Sequence, residues 1–135
     1  MSILTKAVSV IAACVLSGCM FRVISEADLI GKYTASLPDG GVEELELLKG
    51  GRCIQVIRLR NGSVYEADGN WELWRYRSRP RLTFKGLRSS MTATHEINPD
   101  IATARLGVID TDVSRSFTGI PIINLTEDSY YRKVR

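Results

Sequence analysis

Between residues 32 and 85 short alternating runs are cut by glycine-bearing turns, and that punctuation restricts the chain to short antiparallel strands. Residues 43–49 place Leu45 and Leu47 on one face and Glu44 and Glu46 on the other, the period of a half-buried strand. Pro38-Asp39-Gly40-Gly41 precedes that run and Gly50-Gly51 follows it, the second pair suiting a two-residue hairpin loop that needs positive φ. If Lys49 faces Arg52 across the loop, Leu47 meets Ile54, Leu45 meets Val56, and Cys53 shares the opposite face with Gln55 and Ile57. Asn61-Gly62 marks the next turn, between strands over 53–60 and 63–67. Asp68-Gly69 reads as a bulge before a strand over 70–75. Further strand candidates are 32–37, 81–85, 116–118, 122–125 and 130–134.

Ser25-Glu26-Ala27-Asp28 has the spacing of a capping box and predicts one helical turn through Leu29. Residues 99–106 read as a short helix, with Asn98 as cap, Pro99 at the first position and Gly107 as terminator, although 101–109 fits a strand as well. The sum is a mainly all-β domain: an antiparallel meander of about eight strands closed into a small barrel, because an open sheet of that width leaves two unprotected edges.

A length of 135 residues suits one domain. Contents of 44% hydrophobic and 24% charged residues exclude a disordered tail, a collagen-like fibre and a multispanning membrane protein. A net charge of +3 is too weak to argue for nucleic acid as a partner.

The first residues carry a destination. Lys6 precedes about ten apolar or small residues, the length of a secretory h-region and roughly half of a spanning helix. Leu16-Ser17-Gly18-Cys19 then resembles the lipobox of bacterial lipoproteins. The resemblance implies a signal peptide over 1–18, a diacylglyceryl group on the Cys19 sulfur, a lipidated tether over 19–27 and one domain over 28–135. Two or three acyl chains anchor a protein firmly where one does not. Met20 after the cysteine implies export to the periplasmic face of the outer membrane. Cys14 would leave with the signal and Cys19 would be acylated, so Cys53 has no disulfide partner within the mature chain.

The remainder resembles the small lipocalin-like domains of bacterial lipoproteins. Leu29-Ile30-Gly31-Lys32-Tyr33 matches their opening strand, Gly69-Asn70-Trp71 their mid-barrel G-x-W, and Tyr130-Tyr131-Arg132-Lys133-Val134 their closing strand. In lipocalins the opening aromatic is Trp, with a later Arg packed over it; here the opening position carries Tyr33. The resemblance implies a barrel and names no ligand.

Trp71, Trp74, Arg75, Tyr76, Arg77, Arg79 and Arg81 form the one dense cluster of the chain. Alternating guanidinium and aromatic groups suit an anionic lipid surface, for which the candidates are Trp71, Trp74, Arg75, Arg77, Arg79 and Arg81, the four arginines sharing one strand parity. The plainer reading is a solvated hairpin face whose Arg stems cover apolar surface. His95 has Glu96, Asp100, Asp110 and Asp112 near it in sequence but no second nitrogen or sulfur ligand, so no metal is expected. No nucleophile has a base at recognisable spacing and no cofactor motif occurs, so no catalytic residue is assigned. The expected function is that of a lipid-anchored, non-catalytic module that carries a small apolar ligand or docks an envelope protein. A membrane-surface role for the Arg-aromatic cluster is the alternative, and an enzyme the weaker one.

Overall fold

The computed structural model describes residues 23–92, 94–115, 120–124 and 130–134. A four-residue helix, α1 (Glu26–Leu29), leads into eight strands. They are β1 (Gly31–Ser36), β2 (Val42–Leu47), β3 (Arg52–Arg58), β4 (Val64–Tyr76), β5 (Arg79–Lys85), β6 (Ile109–Arg115), β7 (Pro121–Asn124) and β8 (Tyr130–Lys133). Each pairs antiparallel with the next, and β8 returns to β1 through Tyr33↔Lys133 and Thr34↔Arg132, so the sheet closes into a barrel. Closure removes both edges.

The capping box forms: the Ser25 N–H donates to the Asp28 carboxylate at 2.9 Å. Leu29 is fully buried and Ile24 lies in the same core, so the packed body includes part of the stretch assigned above to a tether. The Tyr33 hydroxyl donates to the Leu29 carbonyl at 2.6 Å, which fixes the helix to the opening strand. Lys133 Nζ stands 6.0 Å from the Tyr33 ring centre. A cation thus covers the aromatic of the opening strand.

The register of the first hairpin differs from the expected one. Leu47 pairs with Cys53 and Leu45 with Gln55, while Leu48 N–H donates to the Arg52 carbonyl at 2.9 Å. The loop therefore holds three residues, Lys49, Gly50 and Gly51, and both glycines take positive φ. One extra loop residue exchanges the faces of a strand. Cys53, Gln55 and Ile57 consequently point inward with Leu45 and Leu47, and Ile54 and Val56 are half-buried on the outside.

Asp68-Gly69 makes no bulge. β4 is one strand, paired with β3 through Asn70 and with β5 from Asn70 onward, each in unbroken register. Gly69 serves close approach instead: a methyl group there would collide with the Lys85 carbonyl oxygen. Residues 98–104 form a turn rather than a helix, with one α-type bond, Ala104 N–H to Asp100 O at 2.7 Å. Pro99 suits the start of a helix, but Arg105 then pairs with Arg88 and draws the chain off as an extended bridge. Strand β6 begins only at Ile109, the last residue of the stretch 101–109, so that stretch is not a strand either. The strand candidate at 116–118 lies outside the described residues.

Because the strands alternate in direction, α1 and the β2–β3 and β4–β5 turns share one end of the barrel. The turns at 37–41 and 59–63 and the long β5–β6 connection, 86–108, share the other.

Candidate functional site

Among the described residues, one carboxylate stands inside the barrel. Glu43 follows the parity of Leu45 and Leu47 on β2 and is 3% exposed. Its Oε1 accepts from Gln55 Nε2 on β3 at 2.6 Å and from the Tyr131 hydroxyl on β8. Its Oε2 accepts from Ser90 Oγ at 2.6 Å. A buried carboxylate is tolerated only when its lone pairs are occupied, and three neutral donors occupy them here.

Two of these partners bring in the 86–108 connection. Gln55 pairs with the Arg88 backbone at both ends of its amide: Oε1 accepts the Arg88 N–H at 2.7 Å and Nε2 donates to the Arg88 carbonyl at 3.1 Å. The Arg88 guanidinium then donates to the carbonyls of Glu66 at 2.8 Å and of Ala102. The loop is thus keyed into the interior through Ser90 and bound to β4 through Arg88.

Apolar clusters flank the polar set. The larger one contains Tyr33, Leu45, Leu47, Trp71, Phe84 and Tyr131 among others. The smaller one, at the loop end, joins Leu37, Ile57 and Ile101, with Leu59, Tyr65, Met91 and Ile97 packed against it. Burial raises the Tyr131 phenol well above its ordinary range, and the adjacent Glu43 carboxylate adds to the shift. Burial likewise pushes the Cys53 thiol up to about 11, with the Asp68 charge contributing. Among the described residues, the buried hydroxyl of Thr111, inward on β6, has no hydrogen-bond partner.

The Arg-aromatic cluster divides. Trp71 points inward, 5% exposed, and its Nε1 donates to the Leu48 carbonyl at 3.0 Å, so it belongs to the core and not to a surface. Arg75 has the same inward parity and donates to the Ile24 carbonyl at 2.6 Å. The turn falls at Arg77-Ser78, where Tyr76 faces Arg79, and so separates Arg75 from Arg79 and Arg81. The expected single row of arginines does not form, because a two-residue turn inverts parity between the strands it joins. Outside the barrel, Arg81 lies 5.8 Å from the Trp74 ring centre and bonds Asp112 at 2.7 Å. Trp74 Nε1 donates to Thr83 Oγ1 at 2.8 Å. Tyr76, Arg77 and Arg79 remain exposed at the tip.

His95 is exposed in the long loop, and among the described residues no three His, Cys, Asp or Glu side chains are grouped to share a metal ion. Cys19 lies outside the described residues. The sequence assigns no role to Glu43, the residue that organises the interior, although a Glu in phase with Leu45 and Leu47 is its signal.

No protein-family model matches the chain, and no curated protein matches it. Among solved structures it is similar to a lipocalin-like protein from Bacteroides uniformis, at 19% identity and a TM-score of 0.48, over 79% of this chain and 99% of that one. An uncharacterized protein from Bacteroides eggerthii is similar at 15% identity and a TM-score of 0.44, over 78% of this chain and 98% of that one.

Proposed function

We propose that the protein is a lipid-anchored, non-catalytic binding module of the bacterial envelope, held by acylated Cys19 on the periplasmic face of the outer membrane. Its ligand enters at the 86–108 end of the barrel. The observation that carries this reading is the Glu43 carboxylate, buried beside an apolar cluster and closed over by a loop residue, Ser90. A molecule with an apolar body and a donor head, an alcohol or an amine, replaces Ser90 at Oε2 and Ile101 over Leu37 and Ile57. The ligand's donor has to take the place of the Ser90 hydroxyl at Oε2, because the carboxylate is satisfied only while that position is filled.

A second reading, docking of an envelope protein, is favoured by the filled interior. Tyr33, Leu45, Leu47, Leu82, Phe84 and Ile123 are fully buried.

Native mass spectrometry of the protein purified from its own membrane tests both readings. The expected species carries a diacylglyceryl mass on Cys19 and a co-purifying small molecule that Glu43→Gln loses. A bare barrel bound to a second protein supports the docking reading instead. Unchanged membrane partitioning and a normal mature mass in Cys19→Ser would overturn the anchor.

A further inference from the structure

The two ends of the barrel differ in charge. At the α1 end Lys32, Lys49, Arg75, Arg77 and Arg79 are exposed, while the carboxylates there are Glu26 and Asp28 of the helix and Glu46, which faces Lys32 across β1 and β2. Asp28 is already engaged by Arg115 at 3.3 Å. The opposite end is mixed: Arg58 pairs with Glu44, and Glu96 and Asp100 accompany Arg60 and Arg105.

Chain length sets which end approaches the membrane. Cys19 lies five residues before Ile24, and Ile24 is held in the core with its carbonyl bonded to Arg75 at 2.6 Å. Five residues reach at most about 17 Å when fully extended. The β4–β5 tip begins at the residue after Arg75, so the leash delivers this end, and no other, to the bilayer. Exposed charges act over about 10 Å at 0.1 M salt, so any slack in the leash puts the cations within range of the headgroups. Tyr76, 53% exposed and 5.4 Å from the Arg77 guanidinium, supplies an aromatic of the kind that settles at headgroup level.

We propose that the α1 end of the barrel rests on the anionic phospholipid surface that holds Cys19, with Lys32, Lys49, Arg75, Arg77 and Arg79 against the headgroups. The proposal rests on the lipid anchor assigned above. It differs from a general affinity for anions in fixing an orientation: the 86–108 end points away from the membrane. Arg81, neutralised by Asp112 on the barrel wall, takes no part.

The test uses the processed full chain, reconstituted in phosphatidylcholine vesicles with or without phosphatidylglycerol and followed by hydrogen exchange. The anionic lipid is expected to protect the turns at 49–51 and 76–79 while leaving those at 37–41 and 59–63 unchanged. Arg77→Gln with Arg79→Gln, both on the exposed turn, should lower the docked-to-free ratio roughly thirtyfold, about 1 kcal/mol for each arginine. Intact mass separates the two possible failures. An acylated protein whose 76–79 turn gains no protection, or gains it equally with the 59–63 turn, overturns the orientation and leaves the anchor standing. A chain with no acyl group on Cys19 overturns both.

Discussion

The Tyr131 hydroxyl donates to Glu43, tying β8 to β2 through the barrel interior, although β1 lies between them in the sheet. Backbone ladders hold only neighbouring strands, whereas this bond spans the closure where the ends of the meander meet. β1 and β8 share the shortest described ladder of the barrel, two paired positions, so closure leans on inward contacts of this kind. Ser90 adds the loop to the same carboxylate, which makes Glu43 a common anchor for the seam and for the 86–108 end.

Removing single donors should separate those two tasks. Tyr131→Phe leaves Glu43 short of a buried donor and is expected to cost about 1–3 kcal/mol in urea unfolding. Ser90→Ala should cost a similar amount or less, but it should speed amide exchange selectively between residues 86 and 104. A Ser90→Ala protein whose loop exchanges as in the parent would show that the loop is held without the Ser90 bond to Glu43.

Alkaline pH should destabilise the fold. Burial raises Cys53 from 9.0 to about 11 and raises both Tyr33 and Tyr131 above 10.0. Above pH 9, and more steeply above 10, the unfolded chain releases protons that the folded chain keeps, so stability falls as pH rises. The contribution is complete below pH 9 and disappears as each folded value is passed. Each proton adds a slope of up to about 1.4 kcal/mol per pH unit. Urea midpoints below pH 9 and near pH 11 measure it, and Tyr131→Phe should flatten the dependence by one proton. A midpoint that does not move over that range would contradict this burial.

The closed antiparallel barrel was legible because alternation and turn chemistry agreed from residue 32 to 85. The parity of β3 was not, since Gly50-Gly51 admits a two- or a three-residue loop, and the three-residue form is the one in which the Trp71 backbone N–H donates to the Gly51 carbonyl at 2.8 Å. The same ambiguity hid the site. With Gln55 assigned to the outside, Glu43 has no interior partner in the expected register. Ser90 and Tyr131, 47 and 88 positions from Glu43, meet it only on closure. The arginine row failed for a local reason: Arg77-Ser78 carries none of the glycine or asparagine that usually marks such a turn.

The corrected register has its own consequence for stability. Leu47 is fully buried opposite Cys53, whereas Ile54 is half-buried outside. Leu47→Ala is expected to cost about 2–5 kcal/mol and Ile54→Ala about 1 kcal/mol or less, by denaturant midpoints. In the same protein the Cys53 thiol should resist aromatic disulfide reagents until unfolding, because it is buried and its thiolate is disfavoured. Prompt reaction of the native thiol, or equal losses for the two alanines, would restore the two-residue loop.

The β4–β5 turn offers the last measurement. Arg77 and Ser78 have φ of 48° and 66°, the left-handed region where a side chain crowds the backbone. Both positions of a two-residue hairpin loop of this kind favour residues such as Asn-Gly, and glycine at the second removes the crowding there. Ser78→Gly should therefore stabilise the protein by about 0.5–1 kcal/mol, set against the greater freedom glycine gives the unfolded chain. Because Arg77 and Arg79 are retained, anionic vesicles should protect the 76–79 turn as they do in the parent. A lowered urea midpoint would mean that Ser78 is not held at positive φ, and loss of vesicle protection would mean that membrane contact depends on the serine itself rather than on the flanking charges.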